Sequence, residues 1–219
     1  MITNISENHG ERYESIQDYF EAKWRLAEMT LEHGGKVMLG ESCRPYLPSD
    51  VNAEEGENLH FLSAHDSGLF EWLQRYHVRS DHFPLPGNHN RQNLAFSLWC
   101  LHAHLGEKEW ELSTSLILGA LATFPGVEHR LEFLPLGPYE FEVFNDAKST
   151  NWQATLAALH ALKEKNKPIW LVLGGQPRGS ESDKAPDLEE IKKRVEKIYL
   201  FGEVRNILKD VFEKAQIPV

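Results

Sequence analysis

Residues 145–151 have the sequence Asn-Asp-Ala-Lys-Ser-Thr-Asn, which places a carboxylate, an ammonium group and a hydroxyl close together in one short run. An alternating segment, 139–144, precedes the run, and a segment with helical periodicity, 152–163, follows it. A loop that leads from a strand into a helix lies beside a helix N-terminus, where open α/β sheets hold anions and nucleotides. The run therefore predicts an anion or nucleotide site. The alternative is a polar loop in which Ser149 or Thr150 caps the helix.

A second group combines a histidine with a lysine near the start of the chain. His9 follows the strand-like segment 2–5, and Lys23 lies on the next predicted helix. A neutral imidazole after a strand can ligate a metal ion, although a single histidine is more often a solvated or core residue. Lys23 alone would be interpreted as a surface lysine whose stem packs on apolar neighbours.

A third group consists of Asn90 and Asn93, which lie three residues apart at the start of a predicted helix. Residues at this spacing share one side of a helix. Each amide offers donors and an acceptor, which suits the edge of adenine or ribose hydroxyls. Helix capping would explain one of these asparagines but not both.

Two arginines stand beside predicted loops. Arg130 ends the sequence Glu-His-Arg at a predicted domain boundary, where it could contact a ligand or form only a surface ion pair. Arg178 lies in the glycine-containing loop 174–179 after the apolar segment 169–173. That loop could let Arg178 approach a carboxylate, or it could be a simple turn. The pattern Gly-x-x-x-x-Gly-Lys-[Ser/Thr] of a P-loop occurs nowhere in the chain.

Helices and strands must position these residues, and their periodicity predicts an α/β protein with parallel βαβ units. A boundary near residues 124–127 divides the chain into predicted domains 1–126 and 127–219. The predicted first-domain elements are helix 15–33, strand 36–40, loop 41–58, strand 59–63, and helices 69–76, 89–105 and 112–121. The second domain has the predicted hairpin 131–134 with 140–144, helix 152–163, strand 169–173, helix 188–195, strand 197–201 and helix 203–215.

Composition narrows the classes of function. The formal net charge of −10 argues against nucleic-acid binding, because a phosphate backbone requires clustered cations. The two cysteines are expected to be free thiols in a reducing compartment. No apolar run approaches the length of a membrane span, and the N-terminus does not resemble a signal peptide. We therefore expect a soluble, cytoplasmic protein with no membrane insertion.

Taken in order, four motifs resemble the Mur ligases and, within them, the branch that adds D-glutamate. The motifs are 3–9 together with Lys23, the His-Asn-x-x-Asn helix start within 87–93, the junction 124–132, and the signature 145–151. The resemblance implies a partial Mur ligase central ATPase domain over 1–126, followed by a Rossmann-like C-terminal, glutamate-binding domain over 127–219, both truncated.

The resemblance also implies an activity. The family transfers the γ-phosphoryl of ATP, with Mg²⁺, to the carboxylate of UDP-N-acetylmuramoyl-L-alanine, and the amine of D-glutamate attacks the acyl phosphate. This reaction belongs to peptidoglycan synthesis. The implied site residues are His9 and a carbamylated Lys23 for the metal, Asn90, Asn93, Arg130 and Asp146 for the nucleotide, and Lys148, Thr150 and Arg178 for D-glutamate and the acyl phosphate. Lys23 and Lys148 are the implied catalytic residues.

Departures from the family pattern bear on this expectation. Asn8 and Glu11 stand where the family usually has aspartates, and Arg178 replaces a lysine with a residue of different geometry. Without the P-loop, the positioning on which phosphoryl transfer depends is missing. We therefore expect the chain to be inactive alone. The alternatives are a non-catalytic nucleotide- or amino-acid-binding remnant, one half of a split ligase that works with a separately encoded N-terminal half, and a sister ligase for another amino acid.

Overall fold

A computed structural model describes residues 1–5, 12–51, 56–63, 71, 73–79, 83–176 and 188–219, excluding the side chain of Glu164. The chain divides into two units, Met1–Pro125 and Gly126–Val219. Helices alternate with small parallel sheets in both, so the predicted α/β class is confirmed. Among the described residues, no helix has the length and apolar character needed to cross a membrane.

Helix α1 (Ile16–Glu32) begins at Ser15, whose hydroxyl accepts a hydrogen bond from the Asp18 amide at 3.1 Å. Such a cap satisfies a helix amide that otherwise has no partner. Phe20, Trp24 and Ala27 are buried, and their spacing places them on one face of the helix. The predicted helix 15–33 is therefore confirmed to within a residue at each end.

Strands β1 (Val37–Gly40) and β2 (Leu59–Leu62) pair in parallel, with Val37 opposite Leu59. Ile2 adds a parallel bridge to Leu39, as expected for the end of a strand. Residues 41–46, predicted as part of a loop, instead form a short 3-10 helix. That turn is stabilised by an ion pair between Arg44 and Glu41, with 2.7 Å between Nε and Oε1.

Both faces of β1 are covered, which explains why all four of its residues are buried. Val37 and Leu39 belong to a core cluster with Phe20 and Trp24 of α1. Met38 points to the opposite cluster, which is built on helix α2 (Asn88–Ala122). A parallel strand between two helical layers is typical of α/β proteins.

Helix α2 consists of two helical segments that meet at Gly106, as the sequence predicted. The second segment begins earlier than predicted, because it includes residues 107–111, where Trp110 is buried. The polar residues of 107–111 hid this earlier start in the hydrophobic pattern. The backbone of Gly106 is not helical and has a φ of 74°. Glycine accepts such a left-handed conformation without a Cβ clash.

The second unit begins with an antiparallel hairpin, β3 (Glu132–Leu134) and β4 (Val143–Asn145). The remaining elements are α3 (Trp152–Leu162), a 3-10 turn (Lys163–Lys165), β5 (Ile169–Gly175), α4 (Leu188–Arg194), β6 (Val195–Gly202) and α5 (Arg205–Lys214). Strands β5 and β6 pair in parallel, which confirms the predicted βαβ unit.

The inner face of the β5–β6 sheet packs against α3, α4 and α5. The core between the sheet and these helices is centred on Ile191, Ile198 and Phe212, which are all fully buried. The outer face exposes Trp170, Val172, Tyr199 and Phe201. Strand alternation therefore determines which side chains stabilise this unit.

We expect Phe212→Ala to lower the free energy of unfolding by about 3–5 kcal/mol, because it leaves a cavity at a fully buried position. Ile207→Ala is the matched control, since Ile207 lies on the same helix and is 53% exposed. Urea denaturation followed by circular dichroism measures both. Equal, small effects of the two substitutions would contradict the packing described for α5.

Cys43 is fully buried within the 3-10 helix, and burial raises the pKa of its thiol to about 11. The thiolate is the reactive form, so about one molecule in a thousand carries it near pH 8. With Cys100 changed to Ser, we expect thiol reagents to label the folded chain very slowly and the denatured chain rapidly. Rapid labelling of folded Cys100→Ser at that pH would show that Cys43 is not buried.

The raised pKa of the Cys43 thiol also determines the direction in which the free energy of unfolding changes with pH. The folded state holds the Cys43 proton more tightly than the unfolded state does, because the pKa of the thiol has its ordinary value of 9.0 when the chain is unfolded. This contribution is therefore present at neutral pH and is lost as the pH rises from about 9 to about 11. Cys43→Ala should show a smaller loss of stability across that range in alkaline denaturation experiments.

Candidate functional site

The hairpin of the second unit brings together two segments that the sequence marked separately. Glu132 at the start of β3 pairs with Asn145 at the end of β4. The turn 127–131 before β3 and the loop 146–151 after β4 therefore lie at the same end of the hairpin. We call this arrangement, residues 127–132 with 145–151, the hairpin-end site.

Two hydrogen bonds join the halves of the hairpin-end site on either side of Arg130. The Leu131 amide donates to Asp146 Oδ1 at 2.9 Å, and the Lys148 amide donates to the His129 carbonyl at 3.1 Å. Arg130 lies between these two anchors and is exposed. The structure thus brings together three of the predicted site residues, Arg130, Asp146 and Lys148.

The turn that carries Arg130 has a strained backbone. His129 and Leu131 have positive φ angles of 63° and 48°. Side chains other than glycine rarely adopt this conformation, at a cost of about 1–3 kcal/mol each. Such a conformation persists only where surrounding contacts over-determine it, and the bonds to Asp146 and Lys148 are contacts of that kind.

The loop after β4 is held by its own polar groups. The Ala147 amide donates to Asn145 Oδ1 at 3.2 Å, and the Ser149 amide donates to the Asp146 carbonyl at 2.8 Å. The expectation that Ser149 or Thr150 caps the helix was wrong. Asn151 is the cap of α3, and its Oδ1 accepts from the Ala154 amide at 2.8 Å.

The charges of the hairpin-end site suit an anionic ligand. Arg130 and Lys148 are exposed, Asp146 is half-buried, and Thr150 is exposed two residues before the start of α3. Guanidinium and ammonium groups form charge-assisted hydrogen bonds to phosphates and carboxylates. Amides at the start of a helix add a favourable field for an anion.

The predicted asparagine pair lies in the first unit, at the start of α2. Asn90 is half-buried, and its Nδ2 donates to the Pro86 carbonyl at 2.8 Å. Asn93 is exposed one turn further along. Gly87 precedes the helix with a φ of 92° and provides no side-chain cap. Asn90 therefore fastens the entry to α2, while Asn93 is available to solvent.

The predicted metal ligands are only partly described. His9 lies outside the described residues, and so does Arg178, the predicted carboxylate ligand. Lys23 is half-buried on α1, with Nζ 4.5 Å from the centre of the Tyr19 ring. That contact favours a cationic side chain. Among the described residues, no group of three or more His, Cys, Asp or Glu side chains could hold a metal ion.

Sequence reasoning assigned no role to Glu132 or to Asn145, although both lie within quoted motifs. Glu132 Oε2 accepts hydrogen bonds from the His129 amide at 2.9 Å and from Asn145 Nδ2 at 3.3 Å. Asn145 Nδ2 also lies 2.7 Å from His129 Nδ1. The sequence signal that could have indicated this contact was an acidic residue at the start of a predicted strand, three positions after a histidine.

Comparison with known proteins extends these observations. Residues 1–101 match the family model of the Mur ligase middle domain. The UDP-N-acetylmuramoylalanine–D-glutamate ligase of Lactococcus lactis subsp. cremoris (strain SK11) is 30% identical over 226 residues, which cover 100% of this chain and 47% of that protein. The ligase of the same name from Caldicellulosiruptor saccharolyticus is 27% identical, over 97% of this chain and 47% of that protein. The one from Staphylococcus aureus (strain JH9) is 28% identical, over 94% of this chain and 44% of that protein.

The chain spans about half the length of the curated relatives it matches. The alignments nevertheless extend across residues of both units. The resemblance that the four sequence motifs predicted is confirmed. Residues 1–101 therefore match the Mur ligase middle domain, and nearly the whole chain is similar to proteins named UDP-N-acetylmuramoylalanine–D-glutamate ligase.

Proposed function

We propose that this chain takes part in the ATP-dependent joining of D-glutamate to UDP-N-acetylmuramoyl-L-alanine, in the cytoplasmic stage of peptidoglycan synthesis. The observation that carries the proposal is the placement of Arg130, Asp146 and Lys148 at one end of a hairpin. The names of the relatives supply the substrate class, since each is a UDP-N-acetylmuramoylalanine–D-glutamate ligase.

Arg130 and Asp146 bind the nucleotide in this proposal. The guanidinium of Arg130 can donate two parallel hydrogen bonds to a phosphate. One oxygen of Asp146 accepts from the Leu131 amide, and a carboxylate has further capacity to accept from a ribose hydroxyl. Asn90 and Asn93 of the first unit contribute contacts to adenine and ribose.

Lys148 and Thr150 act on the amino-acid side of the reaction. The carboxylate of D-glutamate and the acyl phosphate are both anionic, so their approach is opposed by repulsion. The ammonium of Lys148 reduces that repulsion, and the hydroxyl of Thr150 can donate to a carboxylate oxygen. Arg178 supplies a second cation for D-glutamate.

His9 and a carbamylated Lys23 would hold Mg²⁺, which neutralises phosphate charge when bound. Nζ of Lys23 lies over the Tyr19 ring, a contact that suits the cationic side chain before CO₂ addition and not an anionic carbamate.

We further propose that the 219-residue chain does not complete ligation by itself. Its sequence contains no P-loop motif, so it does not carry the phosphate cradle on which phosphoryl transfer depends. A separately supplied polypeptide with that motif would complete the site. The second candidate function is non-catalytic binding of a nucleotide or amino acid, which the hairpin-end site supports without any P-loop.

Nucleotide binding tests the role of Arg130. We expect Arg130→Ala to weaken ADP binding by about 10- to 100-fold, because it removes charge-assisted hydrogen bonds. Isothermal titration calorimetry on the full chain measures the change. Arg205→Ala is the control, since it removes the same charge from an exposed site on α5. Equal weakening in the two variants would show that only net charge matters.

An assay of phosphate release distinguishes a component of a ligase from a chain that only binds a nucleotide or amino acid. With ATP, UDP-N-acetylmuramoyl-L-alanine and D-glutamate, we expect the chain alone to release no phosphate above background. Addition of the P-loop-containing half of a relative should restore release, and Lys148→Ala should abolish it. A measured rate for the chain alone would overturn the proposed dependence on a partner.

The same assay tests the amino-acid substrate. Lys148→Ala should abolish the phosphate release that depends on D-glutamate, whereas Lys209→Ala, on the exposed face of α5, should leave it unchanged. If the chain were part of a ligase for another amino acid, the Lys148 substitution would leave the use of D-glutamate unchanged.

A further inference from the structure

We propose that Glu132 and Asn145 are positioning residues, which hold the hairpin-end site in its binding geometry by fixing a neutral His129. Neither residue is required to touch the ligand. The proposal deepens the proposed function and rests on it for the identity of the ligand, while the geometry of the network stands independently.

Glu132 joins two parts of the site through a single oxygen. Its Oε2 accepts from the His129 amide at 2.9 Å and from Asn145 Nδ2 at 3.3 Å. The side chain of Glu132 is 28% exposed, so water competes only partly for this carboxylate. The turn before β3 and the end of β4 are thereby tied to the same atom.

The orientation of the Asn145 amide is determined by its neighbours. Its Oδ1 accepts from the Ala147 amide at 3.2 Å, so Nδ2 must face the other way. The two hydrogens of Nδ2 then have two acceptors, Glu132 Oε2 at 3.3 Å and His129 Nδ1 at 2.7 Å. Since Nδ2 can only donate, His129 Nδ1 must accept, and the imidazole is neutral with its proton on Nε2.

The backbone of His129 connects the network to the residues that would bind the ligand. The His129 carbonyl accepts from the Lys148 amide at 3.1 Å, and His129 itself has a left-handed φ of 63°. Without the Glu132 acceptor, the His129 amide loses the partner that helps to offset this strain. The turn can then relax to an ordinary conformation, which separates Arg130 from Lys148.

Protonation of His129 would conflict with this arrangement. A proton on Nδ1 would face the hydrogens of Asn145 Nδ2, so the contact would turn from attraction to repulsion. The charged groups around the ring are Glu128 and Arg130 on its own turn, Glu132 on β3, and Asp146 and Lys148 after β4. Glu132 Oε2, 3.7 Å from Nδ1, would then attract the charged ring and compete with its bond to Asn145.

Amide hydrogen exchange on the full chain, measured by NMR without ligand, tests the positioning role. We expect Glu132→Ala to accelerate exchange of the His129 and Lys148 amides by about tenfold. Glu132→Gln should stay close to the unmodified chain, because its amide oxygen can accept both bonds. Glu140→Ala is the control, since Glu140 is an exposed acid between the same two strands.

Two outcomes of the exchange measurement would overturn the proposal. One is unchanged exchange of both amides in Glu132→Ala, and the other is equal acceleration in Glu132→Ala and Glu132→Gln. If Glu132→Ala does not fold, the comparison of Glu132→Gln with Asn145→Asp replaces it, with Asn145→Asp expected to accelerate exchange and Glu132→Gln not.

The pH dependence of ADP binding gives a second, sharper readout. Asn145→Asp replaces a donor with an acceptor, which can pair with His129 only when the ring is protonated. We expect the unmodified chain to bind ADP more tightly at about pH 8 than at about pH 6, and Asn145→Asp to show the opposite trend. Protonation of ADP is common to both titrations. The new carboxylate lies beside Glu132 and also titrates, so the same substitution in a His129→Gln background is the control, and a reversal that disappears there is due to His129.

The same pH trend in both proteins would overturn the proposal, since loss of structure alone does not reverse a pH profile. The exchange data keep this result distinct from a failure of the proposed function. If the unmodified chain and Arg130→Ala both fail to bind ADP, the nucleotide assignment is wrong, and the exchange data alone then decide the positioning role.

Discussion

The pairing of Glu132 with Asn145 is the constraint on which the rest of the hairpin-end site depends. An antiparallel pair places the start of one strand beside the end of the other, so the turn before β3 meets the loop after β4. A shift of one residue in this register would turn each side chain to the opposite face. The bonds from Leu131 to Asp146 and from Lys148 to His129 then join the two segments next to Arg130.

The strand pairing imposes backbone conformations that the residues before β3 do not prefer. This explains why several hydrogen bonds hold the turn in place. His129 and Leu131 take left-handed conformations that suit glycine, although the turn 127–131 contains no glycine. Strain of this kind is concentrated at functional sites, where surrounding contacts maintain it. The carboxylates of Glu132 and Asp146 accept hydrogen bonds from the amides of the two strained residues. The strained positions are therefore also the positions at which these hydrogen bonds hold the backbone.

The two units differ in how completely their sheets are covered. In the first unit, helices α1 and α2 contribute to clusters on opposite faces of β1. In the second, α3, α4 and α5 cover one face of the β5–β6 sheet, and the other exposes Trp170, Val172, Tyr199 and Phe201. Parallel sheets are usually covered on both faces. The hairpin-end site therefore belongs to a unit whose core is built from one side.

Much of this protein could be predicted from the sequence, because its elements have clear periodicity and its motifs are local. The apolar run 169–173 and the helical spacing of 16–32 and 152–162 defined elements to within a few residues. The run 145–151 predicted an anion or nucleotide site, which stays a prediction, and a resemblance to the Mur ligases, which the relatives confirm. The break at Gly106 was predicted correctly, whereas the start of the second helical segment was placed too late because the polar stretch 107–111 conceals a buried Trp110.

The sequence by itself determined which residues could bind an anion, since that depends on residue type and on spacing along the chain. Only the tertiary structure decided that Asn151 caps α3, that Glu132 meets His129 and Asn145, and that Asn145 Nδ2 lies 2.7 Å from His129 Nδ1. These features depend on strand register and on hydrogen-bond geometry between segments distant along the chain. No local pattern encodes such contacts, because they arise when the hairpin closes.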